Sequence, residues 1–222
     1  MSVKVVVGKN ILDANEKNAD DLRKVFHESG VRVVNMLGSP GSGKTSILQK
    51  VIPGLSPLRV AVIEGDIATT RDAERLSSLG IQVVQITTLG ACHLDASMVS
   101  RAVSEIDLST VDLLFIENVG NLVCPASFDL GEDLRILVLS VAEGSDKPLK
   151  YPAAFLTSQA VIINKKDLIP YTDFSLESAV AEIRSMKSSL EIFEVSCRTG
   201  EGIERLCGWI EDWAKGKVEV SK

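Results

Sequence analysis

The sequence predicts a doubly wound, mostly parallel α/β sheet of about seven strands, flanked by helices. Three observations carry this prediction. Short β-branched and leucine-rich runs alternate with amphipathic segments along the chain. Several of the runs are nearly continuous in apolar residues, which is what strands covered on both faces require. The 222 residues, 45% of them hydrophobic, are enough to bury one large core, so a single compact unit is expected.

The elements follow in order. Residues 3–7 form a short apolar run. Asp13 with Glu16 three positions on reads as a capping box, Leu22, Val25 and Phe26 line one face of a helix, and Gly30 can end it. Residues 1–30 are therefore expected to be a strand and helix lead-in. Candidate strands lie at 31–37, 58–63, 82–86, 113–116, 136–141, 161–163 and 192–195. Between them, 45–52, 70–79, 95–106, 176–186 and 203–213 fit crossover helices. The main domain spans 31–216, and 217–222 reads as a short frayed tail. No repeat, low-complexity tract or Gly/Ser linker divides the chain.

Composition sets limits on function. Lysine and arginine number 24 against 30 acidic residues, a formal net charge of -6, so a surface-wide grip on nucleic acid is not expected. A small anion held by a local site is still allowed. Four cysteines with no CxxC pair are too few for a disulfide scaffold and favour a reducing compartment. Residues 1–10 lack the pattern of a signal peptide, and no apolar stretch approaches the roughly 18 residues that span a bilayer. A cytoplasmic protein with no membrane partner is expected.

Directly after the first strong strand stands Gly38-Ser39-Pro40-Gly41-Ser42-Gly43-Lys44-Thr45, a complete GxxxxGK[ST] pattern with the 45–52 helix behind it, and Ser46 joins the expected nucleotide-binding set. Glycines at these places let consecutive N–H groups turn towards phosphate oxygens, and the helix N-terminus adds positive potential. Lys44 can reach the β- and γ-phosphates, and Thr45 can ligate Mg²⁺. Asn164-Lys165-Lys166-Asp167 follows another buried run, at a strand end where such sheets place ligands. The Asp167 carboxylate can accept from guanine N1–H and N2–H₂, which adenine cannot match. Asn164 would brace the loop, and the Lys165 stem can cover the base. Ser196, Cys197 and Arg198, after a third strand, form a turn able to offer N–H groups to guanine O6. Together these select GTP. Two carboxylates end other strands, Asp66 and Glu117; each can hold Mg²⁺, directly or through water, Asp66 can orient the attacking water, and Gly120 can give an N–H to the γ-phosphate. Lys44, Asp66 and Glu117 are the expected catalytic set.

The chain resembles the HypB-type hydrogenase nickel-incorporation GTPases, relatives of the urease accessory GTPases within the dimer-forming (SIMIBI) class of P-loop GTPases. The resemblance runs from about residue 31 to 213. Besides the glycine-rich loop and Asn164 to Asp167, it rests on four segments: Gly65-Asp66-Ile67-Ala68-Thr69-Thr70-Arg71-Asp72, Cys92-His93-Leu94-Asp95-Ala96, Glu117-Asn118-Val119-Gly120-Asn121-Leu122-Val123-Cys124-Pro125 and Glu143-Gly144-Ser145-Asp146-Lys147-Pro148-Leu149-Lys150-Tyr151-Pro152. It implies a GTP-hydrolysing metallochaperone for [NiFe] hydrogenase, with a GTP-favoured homodimer, the hydrogenase large-subunit precursor and a HypA-type nickel-delivery protein as partners.

Cys92, His93 and Cys124 are soft N/S donors that suit Ni²⁺ or Zn²⁺ better than Mg²⁺. Taken alone, without the resemblance, each cysteine reads rather as a buried apolar filler. Three ligands do not close a four-coordinate site, so water, another side chain or a second subunit must complete it. The resemblance implies the second subunit, and adjacency of Cys92 to His93 is compatible with their serving different metals. The side chains of Cys197 and Cys207 are assigned structural roles, and His27 a place on the surface of a helix or in its packing. Lys147 can reach across a dimer towards the nucleotide or an acidic residue, or it is a solvated surface lysine. Slow intrinsic turnover is expected because no arginine finger is identifiable, although Arg71 is a conceivable local cation. A urease-type or methylmalonyl-CoA mutase-associated chaperone would keep the nucleotide chemistry and change the client.

Overall fold

The computed structural model of the chain describes residues 9–66 and 70–220. The apolar run at 3–7 and the motif residues Ile67, Ala68 and Thr69 lie outside the described residues. The elements are α1 (Lys9–Glu28), β1 (Arg32–Gly38), α2 (Lys44–Val51), β2 (Val60–Asp66), α3 (Arg71–Ser77), β3 (Gln82–Thr87), α4 (Ala96–Val103), β4 (Leu113–Glu117), β5 (Leu134–Ser140), α5 (Lys147–Lys150), α6 (Pro152–Leu156), β6 (Ala160–Asn164), α7 (Leu176–Met186), β7 (Glu191–Glu194) and α8 (Ile203–Ala214). Each of the seven expected strands is present to within a few residues, and α7 has the expected bounds.

Among the described residues the strands form one sheet in the order β3-β2-β4-β1-β5-β6-β7. Every neighbouring pair is parallel. The strong bias to Val, Ile and Leu follows from helices on both faces. On one face Val34, Met36, Val62 and Phe115 pack with Leu48 of α2 and Leu206 and Trp213 of α8. On the other, Val33, Ile63 and Ile116 meet α1 and α4, while Leu137, Ile163 and Ile192 meet α6 and α7. Alternate residues of each strand thus serve opposite layers. Val218 and Val220 of the C-terminal tail also pack against the first layer.

The helix α1 packs on α4 through Ala19, Leu22 and Phe26, and burial of a leucine or phenylalanine contributes about 1.5–3 kcal/mol. The capping box expected at Asp13 is not formed. The chain is already helical from Lys9, so Asp13 and Glu16 are exposed interior residues of α1. Buried Asn15 works differently: its Nδ2 donates to Asp129 O (2.8 Å) and its Oδ1 accepts from Ala96 N (2.8 Å), tying α1 to the start of α4. Asp95 caps the α4 N-terminus, accepting from Met98 N at 2.8 Å.

The central β1 is flanked by β4 and β5, and the chain crosses to opposite sides of the sheet from there. The carboxyl ends of β1, β2, β4 and β6 consequently open onto a common edge, the place where such sheets hold ligands.

Candidate functional site

The loop from Gly38 to Gly43 joins β1 to α2. Gly43 takes φ 98° at the helix entrance, and a Cβ there would stand 2.3 Å from Asn164 Nδ2, so only glycine fits. Lys44 is buried and donates from Nζ to Gly38 O (3.3 Å), with Ser39 O 3.5 Å away. Burial holds its ammonium below the ordinary lysine range, while Glu117, Glu143 and Glu64 work in the opposite direction. A cavity of about 420 Å³ opens over this loop. Pro40, Gly41, Gly43, Lys44, Thr45 and Ser46 line one side, and Asp66, Glu117, Gly120 and Glu64 line the other.

The buried Thr45 hydroxyl donates to Glu117 Oε1 at 2.8 Å. Parallel pairing of β2 with β4 sets Glu64 in register with Glu117. Burial pushes the Glu117 carboxyl up to about 7 against the pull of Lys44 and the Thr45 bond. It pushes Glu64 up to about 8, with repulsion from Glu117, Asp66 and Asp72 added. Among the described residues, Glu117 Oε2 and Glu64 Oε2 are buried and have no hydrogen-bond partner. Buried carboxylate oxygens without partners cost free energy, and a hard divalent cation or its water offsets that cost. The residues present therefore fit Mg²⁺. Glu64 is missing from the set expected from sequence, although an acid inside an apolar strand was itself a signal.

A second cavity, of about 450 Å³, lies beside the first and is lined by Asn164, Lys165, Asp167, Cys197, Arg198 and Lys50. Asn164 Nδ2 donates to Ser42 O (2.9 Å), and Lys165 Nζ donates to Gly41 O (2.6 Å). The Asn164-to-Asp167 loop thereby braces the glycine-rich loop. Ser196 Oγ donates to Asp167 Oδ1 at 2.6 Å, orienting the carboxylate. Arg75 lines both cavities, held by Asp72 (2.8 Å) and Gln49 (2.7 Å), and was not anticipated.

Cys92, His93 and Cys124 come together, with their ligand atoms all within 4.8 Å of one another. With metal–sulfur bonds of about 2.3 Å, two thiolates on one ion lie at most about 4.6 Å apart, so one ion can engage the group with small adjustments. Adjacent Cys92 and His93 are thus close enough to serve one ion in this chain. His93 stacks on Phe128 at 3.8 Å between ring centroids, and burial lowers its pKa, which favours the neutral, ligating imidazole. Contact with Cys124 holds the Cys92 thiol above its ordinary value, so metal binding must expel protons.

Lys147 lies apart from both cavities, 3.7 Å from Glu143 Oε2 within its own chain and over the Tyr151 ring. Cys207 is buried and its Sγ reaches Val51 O (3.6 Å), while His27 is exposed in the last turn of α1. No helix is long and apolar enough to cross a membrane among the described residues.

A parallel sheet with a glycine-rich loop between its central strand and a helix, ending in Lys44 and Thr45, defines a P-loop nucleotide-binding protein, a fold that supports nucleotide hydrolysis. The model of the CobW/HypB/UreG nucleotide-binding domain matches residues 32–194. The chain belongs to that family and, within it, to the HypB hydrogenase maturation factors. It is 47% identical to the hydrogenase maturation factor HypB of Rhizobium leguminosarum bv. viciae, over 98% of this chain and 73% of that protein. Its fold is similar to HypB from Helicobacter pylori, solved in complex with nickel (TM-score 0.89, 36% identity, 94% of this chain and 99% of that one). HypB from Archaeoglobus fulgidus is similar too (TM-score 0.86, 34% identity, 91% and 99%).

Proposed function

We propose that the chain is a GTP-hydrolysing metallochaperone that assists insertion of nickel into [NiFe] hydrogenase, with nucleotide state governing dimerisation and release of the metal. One observation carries the reading. Glu117, the last residue of β4 and bonded to Thr45 of the nucleotide cavity, is joined by one short loop to Cys124 of the Cys/His group. A change at the γ-phosphate therefore acts on a segment that also bears a metal ligand.

In the nucleotide site, Gly38 to Thr45 and Ser46 wrap the phosphates and Lys44 neutralises the β/γ bridge. Thr45, Asp66 and Glu117 would hold Mg²⁺, which supplies charge neutralisation at the β- and γ-oxygens. Asp66 orients the attacking water, and Gly120 N–H binds the γ-phosphate. Asn164, Lys165 and Asp167 select guanine, helped by the backbone of Ser196, Cys197 and Arg198. Turnover is slow because Arg75 is engaged by Asp72 and Gln49, and hydrolysis lacks a committed arginine.

Nickel is the cargo, held by Cys92, His93 and Cys124; zinc has the same donor preference. Leu89 (91% exposed) and Val123 (59% exposed) flank this three-ligand group in sequence, an apolar surround that supports completion by a second copy of the chain. Lys147 reaches across the GTP-bound dimer towards the nucleotide or an acidic residue of the other copy. A HypA-type protein supplies nickel, and the hydrogenase large-subunit precursor receives it, without nucleic acid or membrane.

The test is a reconstitution: nickel-loaded protein is mixed with apo large-subunit precursor, and both phosphate release and nickel transfer are followed. Transfer faster with GTP than with a non-hydrolysable analogue is expected. Transfer indifferent to nucleotide would refute gating, and absence of phosphate release would refute hydrolysis.

A further inference from the structure

The loop that carries Cys92 and His93 hangs from two asparagines: Asn118 lines the phosphate cavity, and Asn121 directly follows the lining residue Gly120. Asn121 donates from its backbone N to Gly38 O at 3.0 Å, forming an antiparallel bridge with the first residue of the glycine-rich loop. Its side chain reaches the other way. Nδ2 donates to Cys92 O (3.3 Å), and Oδ1 accepts from Val123 N (2.8 Å), the residue before Cys124. One residue therefore touches the glycine-rich loop and the backbone beside two of the three metal ligands.

Asn118, next to Glu117, is completely buried. Its Oδ1 accepts from Leu94 N (3.2 Å), and its Nδ2 donates to Asn35 Oδ1 of β1 (3.3 Å). Leu94 follows His93, and its side chain fills the space over Gly65, where a Cβ would lie within 2.9 Å of it. Gly65 in turn precedes Asp66. Gly120, between the two asparagines, lies so close to Pro40 that a Cβ on it would stand 2.9 Å from Pro40 Cα. The segment 118–121 is thus bonded directly to the carbonyl of Cys92 and the amide of Leu94 while lying against the glycine-rich loop.

We propose that Asn121 and Asn118 are positioning residues that convert occupancy of the phosphate cavity into a change in the spacing of Cys92, His93 and Cys124. The proposal rests on the nucleotide-gated reading above and names the contacts that transmit it. An amide is needed at both positions because each side chain donates with one atom and accepts with the other. Asn121 is the better placed for substitution: it is half-buried, whereas Asn118 is completely buried and bonded to both Asn35 of β1 and Leu94.

The test is titration with Ni²⁺ alone, and separately Zn²⁺ alone, of the wild type, Asn121→Ala and Asn121→Asp. Each is measured with GDP and with a non-hydrolysable GTP analogue. Coupling free energies between sites correspond to roughly 5- to 150-fold in affinity, and the wild-type ratio between the two nucleotide states is expected in that range. In both variants the ratio should fall to within about twofold, while metal still binds in each state. A purely structural role would weaken binding equally in both states and preserve the ratio, which would overturn the proposal. A wild-type ratio of one would remove the gated reading itself, and this proposal with it. Asn121→Asp keeps the acceptor for Val123 N and guards against misfolding of the alanine variant. Amide hydrogen exchange of the wild type gives a second readout: protection at Leu94 and Val123 should differ between the nucleotide states, and identical protection would contradict the assignment.

Discussion

Thr45 Oγ1 donates to Glu117 Oε1 across 2.8 Å of buried space, joining the first turn of α2 to the last residue of β4. The bond leaves Glu117 Oε2 without a partner among the described residues, next to Lys44 and in register with a second buried acid, Glu64. Under the proposed function these groups hold Mg²⁺ on the ends of α2 and β4, and the response to nucleotide falls to the loop that follows Glu117.

Glu117→Gln keeps the size of the side chain and the bond to Thr45 while removing the charge. Loss of a group that orients a metal typically costs 10- to 100-fold, so GTP hydrolysis should fall by about that factor with folding intact. Single-turnover phosphate release at saturating Mg²⁺ measures this, and a wild-type rate would exclude Glu117 from the magnesium site.

Asp167→Asn should weaken GTP binding and favour the xanthosine nucleotide, because xanthine carries a carbonyl where guanine carries an amine. Hydrogen bonds to a charged group contribute about 1.5–3 kcal/mol, so a loss of roughly 10- to 100-fold in GTP affinity is expected. Competition binding of the two nucleotides decides it; unchanged GTP affinity would sink the base assignment.

Gly120→Ala places a methyl group 2.9 Å from Pro40 Cα and N. Neither backbone can yield without deforming the glycine-rich loop, so nucleotide affinity should drop while the melting temperature changes by only a few degrees. Calorimetric titration with GDP and GTP checks this. Normal affinity for both would show that the loop accommodates the change.

The carboxyls of Glu64 and Glu117, at about 8 and about 7 against an ordinary 4.5, make the folded chain hold more protons than the unfolded chain between those values. Stability then falls as pH rises through that window, since the unfolded state binds fewer protons there. Without Mg²⁺ and nucleotide, the melting temperature should decline from about pH 5 to about pH 8. Glu64→Gln should flatten the decline. A melting temperature that rises steadily across this range, unaltered by the substitution, would contradict the assigned burial.

Much of the candidate site was legible because its residues stand at strand ends, and apolar runs mark those ends well. Gly38 to Thr45 and Asn164 to Asp167 fall where the alternation of runs and helices put them. Glu64 escaped notice for a physical reason. Asp66 marks the same strand end in sequence, whereas the cost of burying Glu64 depends on its register with Glu117 on the neighbouring strand β4. Asp13 misled in the opposite way: Asp-x-x-Glu has the spacing of a cap, yet it caps only where the preceding residues are not already helical, and α1 begins at Lys9. Asn118 and Asn121 stood within a family motif, but their partners Leu94 and Cys92 lie more than 20 residues earlier, beyond what local spacing reveals.

The central claim is that nucleotide state governs a metal site that one chain only partly supplies. It is tested most directly by Ni²⁺ titration of the wild type and Cys124→Ala, each with GDP and with a non-hydrolysable GTP analogue, while mass in solution is followed by light scattering. The account predicts unequal nickel affinity in the two nucleotide states of the wild type, a dimer favoured by the GTP analogue, and loss of both the affinity and its nucleotide dependence in Cys124→Ala. Equal nickel affinity with GDP and with the analogue, or full binding by Cys124→Ala, would contradict it.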